Sequence, residues 1–256
     1  MIRKHFEIGE TAVTIIADGE FVPVGEDSIF RAREVIQAFI RKDPLFQVTL
    51  EPYPAPGDAP PLIRRMCEAT SKAGVGPMAS VAGAIAERAV EDMRGAGAVQ
   101  AIVDNGGDIA LLLDHEVNVG LYAGEKVKGL GFTCLPRKDI FGICTSSATI
   151  GPSISFGASD AATVISANVA LADACATRLG NLLTSGDDAV MSRALADVCS
   201  IPGVEGALGV VGEKIALKGR LPRLVKMDVP PAKVAKIELP RPEQAGAVHP
   251  SAPPIF

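Results

Sequence analysis

The sequence has no tryptophan, two tyrosines and three histidines in 256 residues, and aromatics make up 4% of a chain that is 48% hydrophobic. Its core must therefore be aliphatic, with alanine and glycine filling the spaces between larger side chains. So few histidines, and no C-x-x-C pair, leave no zinc-ligand pattern. No stretch approaches 18 uninterrupted apolar residues, which excludes a membrane-spanning helix. Positive charge is not in excess either: 25 Lys and Arg stand against 30 Asp and Glu, a net charge of −5 without like-charge runs. That excludes a general nucleic-acid-binding surface and leaves room for a local basic pocket that takes a phosphate ester. The five cysteines, Cys67, Cys134, Cys144, Cys175 and Cys199, are odd in number and widely spaced. They read as reduced thiols of a cytoplasmic protein, and the first residues show no signal h-region or lipid-anchor cysteine.

What is present suits one large domain or two interlocked halves. RKHFEI and TAVTII alternate about Gly9-Glu10 as two arms of a hairpin. Asp27 or Ser28 is the expected cap of a helix with Ile29, Ala32, Ile36 and Phe39 on one face. The segment 51–61 holds five prolines in eleven positions and is a long loop, a lid or an oligomer contact. A helix is predicted over Leu62–Ala73 and another from Met78 to Gly95 or Gly97, the latter with small residues early that admit close backbone approach. Strands at Val99–Val103, Ile109–Leu113 and Val117–Tyr122 with short connections predict an antiparallel meander. Residues 140–144 and Ala162–Ser166 read as strands. A helix follows with Asn168 as N-cap and Gly180 or Asn181 as C-cap, then a helix over Asp187–Val198 and a closing hairpin. The predicted class is α+β, one domain over 1–228 with a Pro-rich extended tail over 229–256.

Three constellations carry oxygen or sulfur chemistry. Asp173 and Thr177 stand four apart on one helix, so they share a face; both are hard oxygen donors of the kind Mg²⁺ takes, yet the pattern also suits a solvated Asp and a Thr bonded back to its helix. The turn Asp104-Asn105-Gly106-Gly107-Asp108 reads equally as a glycine-built anion cradle or a tight hairpin. At Cys144, Thr145, Ser146 and Ser147 a thiol and hydroxyls gather at a strand end, but His5, His115 and His249 form no recognisable motif with them. Cys144 is thus a candidate nucleophile against the alternative of a buried structural thiol.

Taken in order, VAGAIAERAVEDM with AIVDNGGDIAL, then Thr145-Ser146-Ser147, then ATVI with LADACATRLGN, resemble the ApbE family of flavin transferases, which move FMN from FAD onto a protein threonine with Mg²⁺. GVGPMASVAGAIAE, CTSSATIG and SFGASDAATVI are closer to its UPF0280 branch. The resemblance implies an ApbE-like fold of antiparallel sheets and packed helices, two interlocked halves sharing one site. It implies Asp173, Thr177 and the Val81 carbonyl as metal ligands, and Glu87 near the nucleotide. It further implies Asn105, Gly106, Gly107 and Asp108 near the flavin, with Asp104 beside them and Thr145, Ser146 and Ser147 on the facing wall. Ala82 and Ala84 stand where that family has lysine and tyrosine, and its H-x-x-D-P-x-T-G segment is replaced by the shorter GPSISFGASD.

The expected function is Mg²⁺-dependent binding of a phosphorylated, flavin-type nucleotide such as FAD, with FMN or related group transfer to a protein acceptor. Asp173 and Cys144 are the catalytic candidates. The departures leave open a non-catalytic binding or assembly module on the same fold, and Cys144 leaves open thiol-dependent chemistry. No nucleic-acid or membrane partner is expected, and a homodimer is the default assembly.

Overall fold

The structure is a computed structural model that describes residues 1–8, 11–147, 157–227, 229 and 235–238. The Gly9-Glu10 turn, the loop residues 148–156 with Thr149, and His249 lie outside them. An eight-stranded sheet runs β1 (Ile2–Ile8), β2 (Thr11–Ala17), β3 (Ala101–Asn105), β4 (Asp108–Leu113), β7 (Arg137–Ser146), β8 (Ala161–Ser166), β9 (Val204–Val211), β10 (Lys214–Gly219). A four-stranded sheet runs β11 (Arg223–Lys226), β6 (Val127–Cys134), β5 (Val117–Ala123), β12 (Ala235–Glu238). Neighbouring strands in both sheets are antiparallel. The helices are α1 (Val22–Lys42), α2 (Leu45–Val48), α3 (Pro61–Ala73), α4 (Val81–Gly95), α5 (Val169–Leu182) and α6 (Asp188–Cys199). This is the α+β architecture expected, and no described helix is long and apolar enough to cross a membrane.

Strand alternation decides the layering. On β4, Ala110 and Leu112 pack toward the helices, whereas Ile109, Leu111 and Leu113 pack toward the small sheet. The large sheet is thus buried on both faces, and its two cores are aliphatic, with Phe46, Phe132 and Phe141 the aromatic rings among the largest fully buried side chains.

Several expectations are corrected. β3 and β4 form a hairpin, but β4 then pairs with β7, while β5 crosses to the second sheet and pairs with β6. β4 is apolar on both sides and so needs cover on both. β6 escaped notice because Gly129, at φ +77°, and Gly131 interrupt its alternation. Helix α1 begins at Val22, not at Asp27 or Ser28: Pro23 fixes φ in its first turn, and Ser28 is buried against Asp92 at 2.7 Å. The Met78 end of the next helix is a 3₁₀ turn, Pro77–Ser80. Helix α5 runs past Gly180 to Leu182, since Gly180 does not take the left-handed conformation of a cap; the close approach there is made by Gly157, where a Cβ would sit 1.9 Å from the Gly180 carbonyl oxygen. The Pro-rich loop is fastened down, with Tyr53 edge-on to Phe46 at 5.4 Å and its hydroxyl bonded to Asp43. Apart from these corrections, Ala235–Glu238 within the 229–256 segment pairs with β5 as the edge strand β12.

Candidate functional site

Helices α4 and α5 cap one another. An α-helix leaves its first N–H groups without partners, and a carboxylate is the best acceptor for them. Ser80, the N-cap of α4, makes no side-chain cap bond; the Gly83 N–H donates instead to Asp173 Oδ2 of α5 at 2.8 Å, and the Ala82 N–H points to the same carboxylate. In return the Ala170 N–H of α5 donates to Glu87 Oε2 of α4 at 3.2 Å, joined by the Val169 N–H. Asn168 caps α5 locally through the Leu171 N–H at 2.8 Å, as expected. Such approach requires glycine at position 83, where a Cβ would lie 2.7 Å from Asp173 Cβ and 2.8 Å from the Val169 carbonyl oxygen. The small residues read from the sequence therefore serve helix-to-helix contact.

Both capping acids are buried, Asp173 at 8% exposure and Glu87 at 7%. Glu87 has a cation nearby, Arg65 at 3.8 Å, which is itself bound to Glu91 at 2.8 Å. Burial nevertheless raises its carboxyl above the ordinary range, with Arg65 and the α5 amides pulling the other way. Asp173 has no ion-pair partner among the described residues; burial pushes it up to about 7 against the pull of the Gly83 and Ala82 amides. Asp108, at the start of β4, is raised well above its usual value by burial and by the negative charge of Asp173. Two carboxylates thus face one another where neither is easily ionised alone, the condition that a bound cation relieves.

Cys144 pairs across β4–β7 with Asp108 and is fully buried. Its Sγ lies 3.6 Å from the Val169 carbonyl oxygen and bonds the Asp108 carboxylate; burial and the surrounding acids hold the thiol well above its ordinary value. A nucleophilic cysteine needs the reverse, a cation or helix N-terminus that favours thiolate.

The remaining candidates divide by face. Asn105 Nδ2 donates to the Ala82 carbonyl at 3.1 Å, tying the β3 end to the start of α4. Asp104 alternates to the other face and accepts the Gly107 N–H at 2.9 Å, so the turn is internally satisfied, with Gly106 at φ +69° and Gly107 at φ +102°. Thr145 also points away from the helices and shares a hydrogen bond with Thr163 at 2.9 Å. Ser146, one residue on, returns to the side of Cys144 and is half-buried, while Ser147 is buried. Val81 opens α4, and Thr177 lies one turn beyond Asp173; both are half-buried. Ala84, where the resembled family has tyrosine, is wholly inside the helix-side core.

As a donor set for Mg²⁺, the residues fit. Asp173, Asp108 and Thr177 offer hard oxygens, and burial, with the negative charge of Asp173 acting on Asp108, is what raises the two carboxyls. Among the described residues no cluster of three or more His, Cys, Asp or Glu is placed to hold a metal ion, so such a site depends on hydroxyl and carbonyl oxygens as well. Sequence reasoning missed the reciprocal capping; the available signal was an acid inside each helix, facing a partner with small residues at its start.

Comparison with known proteins places this geometry in context. The family described as "AbpE bacteria" matches residues 2–204. A UPF0280 protein of Methanocella arvoryzae is 56% identical over 232 residues, covering 90% of this chain and 94% of that protein. Another UPF0280 protein, from Methanosarcina barkeri, is 49% identical over 230 residues, covering 89% of this chain and 90% of its own length. Among solved structures, a mutant of the flavin transferase ApbE from Vibrio cholerae superimposes with a TM-score of 0.52 at 13% identity, covering 86% of this chain and 97% of that one, a likeness of fold.

Proposed function

Because the chain belongs to the UPF0280 family and is built on the ApbE fold, we propose that it binds a flavin-type nucleotide with Mg²⁺ at the α4–α5 junction and serves flavin-type group transfer. The observation that carries this reading is Asp173, a buried carboxylate bonded to the Gly83 N–H at the α4 N-terminus, with Asp108 acted on by its charge. Asp173, Thr177 and the Val81 carbonyl would hold the ion, with Asp108 adjoining. When bound, Mg²⁺ neutralises charge that develops on phosphate oxygens during transfer. The chain's own residues do the positioning. The Gly83 and Ala82 amides orient one Asp173 oxygen, Asn105 fixes the start of α4, and Glu87 holds α5 against it. Glu87 is thereby a positioning residue, its carboxylate being occupied by α5 amides. Cys144 supports Asp108 as a buried, protonated thiol.

A non-catalytic binding module is the second reading, favoured by Ala82 and by the core position of Ala84, which supply neither lysine nor an aromatic ring to a ligand. Calorimetry with FAD, with and without Mg²⁺, tests the proposal, followed by assay of AMP released in the presence of acceptor proteins. Mg²⁺-dependent FAD binding with AMP release supports transfer; binding without release, with or without Mg²⁺, supports the module; no FAD binding under either condition contradicts both.

A further inference from the structure

At the Arg137 end of β7 a cavity of about 630 Å³ is lined by residues of both sheets, within the size range that small organic ligands occupy. Its rim is basic. Arg137, Arg220 and Arg223 all line it against one acid, Glu205, whose two oxygens reach Arg137 at 2.7 Å and Arg220 at 3.5 Å. In a chain of net charge −5, three guanidiniums over one carboxylate form a local excess of positive charge. Its wall is apolar: Leu135 stands at the mouth with 63% of its surface in water, half-buried Leu221 and Pro222 line the side, and Phe141 is buried beneath the Arg137 guanidinium, 4.5 Å from the ring centroid. The register sets this cavity apart from the carboxylate pair. Asp108 lies opposite Cys144 and Leu113 opposite Arg137, so the two sites are seven residues apart along β7, roughly 20 Å in an extended strand. They also differ in side, since Phe141 belongs to the core between the sheets and Cys144 to the core under the helices.

We infer that this cavity is a second ligand site, one that takes a small organic anion with a flat apolar body, its carboxylate or phosphate head toward Arg220 and Arg223 and its body against Leu135 and Leu221. Guanidiniums offer paired N–H donors that match either head group. Glu205 holds Arg137 and Arg220 in place without neutralising all three cations. Stacking on Phe141 fixes Arg137 at the base, and Leu135 and Leu221 set a hydrophobic surface beside the charged rim, the pairing an amphipathic anion requires. The site does not rest on the flavin reading, which stands or falls at the opposite end of the sheet.

The test uses the full chain and the fluorescent probe 8-anilinonaphthalene-1-sulfonate. The expected result is saturable binding of one equivalent, displaced by 1-naphthoate or 1-naphthyl phosphate, with the better of the two showing which head group the site prefers. Neutral 1-naphthol should need about tenfold more, and Arg220→Glu and Arg223→Glu should each weaken the probe about tenfold. Both arginines are exposed, so the variants should keep the wild-type melting temperature. Lys214→Glu, the same charge change beside a different cavity, should stay within about twofold. Equal displacement by 1-naphthol, or wild-type probe affinity in both arginine variants, overturns the inference.

Discussion

The two ends of β7 are built from opposite charges and stabilised in opposite ways. At the Cys144 end, carboxylates are buried and find their partners in backbone amides of two helices. At the Arg137 end, guanidiniums stand partly in water and share a single carboxylate. Amides are dipoles, so they orient an acid without cancelling its charge; burial therefore still leaves Asp173 raised despite the Gly83 and Ala82 amides. The two proposed sites thus differ in charge, acidic at one end and basic at the other, a polarity invisible in a net charge of −5.

The largest effect should come from removing the acid that does both jobs. Asp173→Ala should lower Mg²⁺-dependent FAD affinity by about 100-fold or more, read by calorimetry, and leave the cavity at Arg137 unchanged. Next is the helix contact. Gly83→Ala should cost about 1–3 kcal/mol in urea unfolding, because its methyl meets Asp173 and the Val169 carbonyl with no room to move. Glu87→Ala, which uncaps α5 from one side while Asn168 remains, should cost about 1 kcal/mol in the same assay. Equal effects at positions 83 and 87 would mean that capping contributes as much to the geometry as close packing does.

A pH series sharpens the contrast in sign. Asp173 is raised to about 7 in the folded chain from an ordinary value of 3.8. Between those values the folded state holds a proton that the unfolded state has released, so this stabilising contribution is complete at low pH and is lost as pH rises through about 7. Metal-free protein should therefore lose melting temperature over that window, and Asp173→Asn should flatten the loss. The smallest effect belongs to Cys144→Ser: a thiol held protonated supplies no nucleophile, so flavin binding should change by less than about twofold. A loss of turnover with intact binding in that variant would revive thiol chemistry.

The fold was legible where pattern is local. Alternation at 3–17, the Asn168 cap and the Asp187 start of α6 all appear in the structure. It was illegible where partners are distant: nothing local tells β5 to leave β4, and glycines disguised β6. The site divides in the same way. Spacing put Asp173 and Thr177 on one face, but the capping of α4 by α5 joins residues 90 positions apart, and Thr145 and Asp104 turned out to face the other core because alternation reverses at each step. Resemblance named Glu87, whereas its function in the fold became visible only with α5 in place.

The most direct measurement is the anomalous scattering of Mn²⁺ in crystals of the full chain grown with Mn²⁺, as a stand-in for Mg²⁺, and FAD. The account predicts one strong peak bonded to an Asp173 oxygen and to Thr177 Oγ1, next to the FAD phosphates. A peak elsewhere, or phosphates seated away from the α4–α5 junction with Asp173 bonded to amides alone, would contradict it.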